Sequence, residues 1–275
     1  MALWATMAHA EGETREVSLR VQLLETARLS RDLDDAAQQL PHRESTLSLD
    51  DATILAVGSV RVAPYVNHRA RHAARFARAV FELSGERRRE AGAIDHALLF
   101  PMLRSCLEDS AALVWLLHES DQFERWTRIL RALRTDADFF TRNQILLSDA
   151  AGNSGEPDQV LDELRQRMER EHGALSEQVR AASVRLGLDQ RSVVTTLRPS
   201  EPLHVVFGKL SVTVVTWRLL SDLSHYSYGL SARFDAGALA VDGRSGNELL
   251  RVVLSCVNPA LDEAIRLLRW AKSAP

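Results

Sequence analysis

The chain has 275 residues, 45% of them hydrophobic and 26% charged, the composition of a globular protein with apolar side chains enough for a sizeable core. A formal net charge of -3 and a pI near 6.3 exclude a uniformly basic surface, so nucleic-acid binding would need a local patch. The first residues, MALWATMAHAEGE, lack the basic start and apolar core of a signal peptide, and no apolar run approaches the roughly 20 residues of a membrane span. A cytoplasmic protein without a membrane partner is therefore expected.

Helical spacing of Leu19, Leu23, Leu33, Ala37 and Leu40 predicts a first helix over residues 15–40, stopped by Pro41. A second helix is expected over 51–83, bent at Pro64 and closed before Gly85, with Ala70, Ala73, Ala77, Val80 and Phe81 as its narrow apolar face. The stretch from Asp95 to His118 reads as a buried central helix, since Leu99, Leu103, Cys106, Leu107, Leu113, Val114 and Leu117 leave it apolar nearly all round. Pro101 there marks a kink or a first turn. Ser120 or Asp121 then caps a helix carrying Phe123, Trp126, Leu130, Leu133, Ala137, Phe140 and Leu147, and residues 148–158 read as a loop.

Leu161 to Leu186 predicts another amphipathic helix, ended by Gly187, whereas 188–203 has no readable period. In 205–226 the valines favour a strand, but Val212, Val215, Leu219, Leu223 and Tyr226 follow steps of three and four, which predicts a helix. A Gly-rich loop follows, with room for a short hairpin. A capping box, Ser245 with Glu248, opens a last helix kinked at Pro259 and ending near Trp270. The expectation is one all-α domain over 1–275, a bundle of about seven helices with an N-terminal helix (15–40), a central bundle (51–235) and a C-terminal helix (245–271). Cys106 and Cys256 sit inside apolar helical patterns and read as reduced, buried thiols.

Three polar patterns interrupt this apolar plan. Arg104, Glu108, Ala111, Trp115 and His118 share one stripe of the central helix, and a buried Arg and Glu there must be paired, because an unpaired buried charge costs several kcal/mol. That pair reads either as a structural ion pair fixing register or as part of a site built from facing helices. Trp115 reads as core or as a wall for a ligand. Near the end of the 205–226 helix, Arg218, Asp222 and His225 fall on one stripe beside Ser221, Tyr226 and Tyr228. Arg218 and His225 would lie about 10.5 Å apart along the axis, a distance that one phosphodiester bridges. The histidine there can exchange a proton near neutrality, and the arginine supplies a permanent charge for phosphate. The third pattern is a basic stripe, Arg61, His68, Arg71, His72, Arg75 and Arg78, read as a solvated face or as a surface for phosphate or an acidic partner.

The R-S-C-L-E run (Arg104 to Glu108) with a late L-S-x-x-S-H (Leu220 to His225) resembles a bacterial, largely actinobacterial, family of uncharacterised helical proteins. The spacing of Arg218 and His225 also resembles the Arg-x4-6-His motif of the HEPN superfamily, although Leu219 stands where those proteins usually carry a polar residue. Five of the nine histidines here follow an arginine at that offset, so context and not spacing selects His225. The resemblance implies a metal-independent ribonuclease of the toxin or defence type, acting on RNA or a nucleotide, often as a homodimer. On it, His225 is the acid–base residue, Arg218 the phosphate ligand, and Arg104 with Glu108 a positioning pair. Asp222, Ser221, Tyr226, Tyr228 and Trp115 would line the substrate. The alternative is a non-catalytic bundle that binds a small molecule or a protein partner. No P-loop, GxGxxG or GxSxG run or zinc-type cysteine pairing is present, so no cofactor is expected. His68 and His72 have metal-ligand spacing, but their arginine neighbours repel a cation.

Overall fold

The computed structural model describes residues 2–90, 96–152, 159–224 and 244–274. All regular structure among the described residues is helical: α1 (Ala2–Gln38), α2 (Thr46–Gly58), α3 (Ala63–Glu90), α4 (His96–Leu117), α5 (Gln122–Gly152), α6 (Gln159–Arg185), α7 (Gln190–Val194), α8 (Ser200–Phe207), α9 (Val212–Ser224) and α10 (Arg244–Lys272). The all-α expectation therefore holds, but the described residues alone form ten helices in place of about seven.

Two local causes account for most of the extra helices. The helix expected over 51–83 is two, because α2 stops where Ser59 takes the left-handed conformation (φ 58°) and donates its N–H to Leu55 O. Asp51 then reaches forward and accepts from the backbone N–H of Val62 at 2.6 Å and of Ala63 at 3.0 Å, satisfying donors at the start of α3. Pro64 is the second residue of α3, where a missing N–H breaks no helical bond. In the stretch without a readable period, Asp189 caps α7 by accepting from the N–H groups of Arg191 and Ser192, and α8 buries Pro202 and Leu203. Both helices are too short for periodicity to reveal. At other ends, α1 starts at Ala2, ahead of residue 15, and α5 runs on to Gly152, through the first five residues of the expected loop. Asp121, not Ser120, caps α5, accepting from Glu124 N at 2.8 Å. The last helix already includes Arg244, one residue before the proposed capping serine. The Gly-rich loop expected before it falls mainly outside the described residues.

Chain packing groups the residues into two compact units. The first comprises Met1–Leu40, Asn67–Trp115 and Pro199–Trp270. Its core takes Leu29 and Leu33 from α1, the alanine face of α3 (Ala70, Ala73 and Ala77, all at 0% exposure), and Leu103, Leu107 and Leu113 from α4. Polar bonds fix α1 against α10: Asn258 Nδ2 donates to Gln22 O at 3.1 Å, and Thr26 Oγ1 lies 2.8 Å from Asn258 Oδ1. Helix α9 buries Val214, Thr216 and Leu220, while Val212 and Val215 of the expected apolar face stay exposed. The β-branched residues sit on both faces of this helix, so its sequence favours no single register, and tertiary packing decides.

The second unit comprises Pro41–Val66, Leu116–Arg198 and Ala271–Pro275. Its core holds Leu47, Ile54, Ile129, Leu130, Val179 and Val193. At its centre the buried carboxylate of Asp50 accepts from Arg125 Nε at 2.6 Å, Arg125 Nη2 at 3.1 Å and Trp126 Nε1 at 2.8 Å. A charge this deep is tolerable because its oxygens are met by aligned donors. Gly58 allows α2 and α6 to approach closely, since a methyl group there would lie 2.4 Å from Ala182 Cβ. Phe123 and Phe140, expected inside, are exposed on α5, whose buried stripe runs through Trp126, Ile129 and Leu130.

Candidate functional site

The polar stripe of α4 divides along its length. Ala111 and Trp115 are buried at 0% and 4% exposure, so Trp115 is a core side chain, and His118 lies exposed beyond the last helical residue. One turn earlier the helix surface opens. Arg104 Nε donates to Glu108 Oε1 at 2.9 Å, with both side chains about a quarter exposed (21% and 24%). The same oxygen accepts from Trp217 Nε1 of α9 at 2.7 Å. Glu108 therefore joins the Arg-Glu motif of α4 to the helix that carries Arg218, both within the first unit.

Trp217, not Arg218, makes this contact. Successive residues on a helix are turned by about 100°, so the next side chain points elsewhere. Arg218 and Asp222 are exposed, Ser221 is half-buried, and among the described residues neither Arg218 nor Asp222 forms an ion pair. His225, Tyr226 and Tyr228 lie outside the described residues. Trp217 could have been found from sequence: a partly buried carboxylate needs donors, and an indole N–H is a natural one in an apolar helix.

The basic stripe carries a second constellation that sequence reading missed. Asp109, next to Glu108 on α4, is 6% exposed at its side chain and accepts from Arg69 Nη1 at 2.6 Å. Its other oxygen lies 2.5 Å from His72 Nδ1. The imidazole is about half exposed; its ring centroid lies 6.1 Å from that of His68, stacked, and 4.5 Å from that of Phe76, edge to face. The hydrogen bond to Asp109 and then its charge raise the pKa of His72, against burial and the nearby Arg69 and Arg75. Consecutive carboxylates of α4 thus serve different helices, Asp109 holding α3 and Glu108 holding α9. The signal for Asp109 was an acid in the middle of a helix that is apolar nearly all round.

Of the remaining basic residues, Arg61 is not on the stripe: it lies in the linker after α2, pairs with Asp51 at 3.3 Å and belongs to the second unit. Arg71, Arg75 and Arg78 line a cavity of about 450 Å³ together with Asp34, Gln38 and Ala74. Cys106 is buried, and burial together with the charge of Asp109 pushes its thiol up to about 12, so it is no nucleophile at neutral pH. In the second unit, Asp138, His172 and Ser176 look like a nucleophilic relay, but the 2.5 Å Asp138 contact and the 3.5 Å Ser176 contact both fall on His172 Nε2. One nitrogen cannot relay a proton between them.

Among the described residues no group of three or more His, Cys, Asp or Glu could hold a metal ion, and no helix is long and apolar enough to cross a membrane. Compared with models of known families, with curated proteins and with solved structures, the chain gives no match.

Proposed function

We propose that this chain is an HEPN-like helical protein that acts on RNA or a nucleotide without a metal, as a ribonuclease of the toxin or defence type. The observation that carries the reading is the bond from Trp217 Nε1 to Glu108 Oε1, which ties the Arg-Glu motif of α4 to the helix bearing exposed Arg218. His225 follows Trp217 and Ser221 at steps of four in the sequence. In this mechanism His225 takes the proton of a ribose 2′-hydroxyl, whose oxygen attacks the adjacent phosphorus. The bond from phosphorus to the 5′ oxygen breaks, leaving a 2′,3′-cyclic phosphate and a 5′-hydroxyl, whose oxygen takes a proton from water while His225 returns its own to solvent. Arg218 stabilises the charge on the phosphoryl oxygens. Arg104 and Glu108 are positioning residues, since Glu108 spends its bonds on Arg104 and Trp217 and acts through α9.

The test is cleavage of labelled single-stranded RNA in the presence of a chelator. Wild type should cleave, and His225→Ala and Arg218→Ala should lose at least about a hundredfold in rate, the usual worth of a general acid–base group. Equal rates for wild type and both variants would sink the reading.

A second reading, a non-catalytic bundle that binds a small molecule or protein partner, is favoured by one observation. Val205, Leu210, Val212 and Val215 of the α8–α9 region are 58%, 92%, 67% and 55% exposed, an apolar set of the kind that marks an interaction surface. The same surface would serve the homodimer of the first reading. Val212→Lys with Val215→Lys should then leave a monomer by size-exclusion chromatography with light scattering, whereas an unchanged mass rules this surface out of self-association.

A further inference from the structure

We infer that the cavity between α1 and α3 is a phosphate-binding site, taking the phosphate groups of a nucleotide or of an RNA strand. Arg71, Arg75 and Arg78 follow at steps of four and three along α3, so their guanidinium groups form one wall of a cavity of about 450 Å³. Against these three cations stands one carboxylate, Asp34 of α1, which lies 3.8 Å from Arg78 and also accepts from Gln38 Nε2 at 3.1 Å. Three positive groups and one negative group leave a surplus of two positive charges. Arg71 and Arg75 have no carboxylate within ion-pair reach among the described residues, whereas Arg69, two residues before Arg71, is already held by Asp109.

Arginine is the side chain suited to this ligand, because its planar fork meets two phosphoryl oxygens at once. The surplus of two matches a phosphate monoester dianion or two successive phosphodiesters of a single strand. The wall runs about 10.5 Å from Arg71 to Arg78 at the helical rise, long enough for more than one phosphate. The formal net charge of the chain is -3, so its bulk field repels an anion and attraction must come from local clusters of positive charge such as this one. Asp34 sets the limit at the far end, where it partly neutralises Arg78 and would repel a bound phosphate.

The site rests on the reading of a phosphate-bearing substrate, but binding at α3 and cleavage at α9 are measured separately. Fluorescence anisotropy of a labelled short single-stranded RNA, with inorganic phosphate and AMP as competitors, tests it on the full-length protein. Wild type should bind the RNA. Arg71→Glu with Arg75→Glu should weaken binding at least about a hundredfold, roughly tenfold for each charge-assisted hydrogen bond removed. Arg71→Ala with Arg75→Ala should flatten the slope of log K against log salt by about 1.4, the value for two phosphate contacts on a single strand. Asp34→Asn should tighten binding, which a merely structural Asp34–Arg78 contact does not predict. Displacement by AMP and inorganic phosphate identifies a monoester pocket, and resistance to both identifies a track for the RNA backbone. The inference is overturned if wild type binds none of the three probes, if the folded double glutamate variant binds like wild type, or if Asp34→Asn weakens binding. If binding obeys these rules and no cleavage occurs, the phosphate site stands and the ribonuclease reading falls.

Discussion

Removing the Glu108 carboxylate should cost the first unit a definite and divisible amount of stability. Glu108 Oε1 receives Arg104 Nε at 2.9 Å and Trp217 Nε1 at 2.7 Å, with the Arg104 and Glu108 side chains 21% and 24% exposed. The Arg104 pair is an i,i+4 contact near the surface, worth about 0.5 kcal/mol. The indole bond joins two helices and has a charged acceptor, which places it near 1.5 kcal/mol, the low end for such bonds given the partial exposure. Glu108→Ala should therefore cost about 2 kcal/mol. Trp217→Phe removes the same bond together with some packing, so the single effects should overlap. A double-mutant cycle by urea unfolding, followed by circular dichroism, should return a coupling of about 1–1.5 kcal/mol between Glu108 and Trp217, and a much smaller one between Glu108 and Arg218. A Glu108–Trp217 coupling below about 0.3 kcal/mol, the scatter expected of independent sites, would refute the reasoning and remove the link between the two motifs.

Other predictions follow from the same geometry. Asp50→Ala strands the guanidinium of Arg125, whose side chain is only 7% exposed, and should cost about 3–5 kcal/mol in equilibrium unfolding; a loss below about 1 kcal/mol would mean the second unit does not depend on this carboxylate. Gly58→Ala should destabilise by about 1–2 kcal/mol, because the clash with Ala182 Cβ at 2.4 Å outweighs the better helix propensity of alanine; a gain in thermal stability would contradict the close packing of α2 on α6. His72 has a raised pKa in the folded chain, so its contribution is fully present below its unfolded value of about 6.5 and is lost as pH rises through the folded value. Wild type should therefore lose stability relative to His72→Gln across that window in pH-dependent unfolding, and a constant difference would show that Asp109 does not bind the imidazolium preferentially.

The central helix was readable because its physics is local. A run of apolar residues on nearly every face must be buried, and an arginine and glutamate four residues apart in it must meet, as they do at 2.9 Å. The alanine face of α3 was readable for the same reason. The break after Gly58 was not, because it depends on Ser59 adopting a left-handed conformation and on Asp51 folding back over the linker, and neither leaves a periodic trace. Asp50 and Asp109 were passed over because each stands beside another acid, Asp51 and Glu108, and such a pair looks like surface until its distant donors are known. Arg125 lies 75 residues from Asp50, and Arg69 lies 40 from Asp109. At α9 the stripe through Arg218 was chosen for its chemistry, while packing chose the neighbouring residue, Trp217, to meet Glu108.

The central claim, metal-independent action on RNA through α9, is tested most directly by single-turnover cleavage of labelled RNA in chelator by wild type, Arg218→Ala and His225→Ala. The account predicts a 2′,3′-cyclic phosphate product from wild type and at least about a hundredfold slower cleavage by each variant. Cleavage that persists unchanged in both variants, or wild-type protein that binds RNA and leaves it intact, would contradict the account.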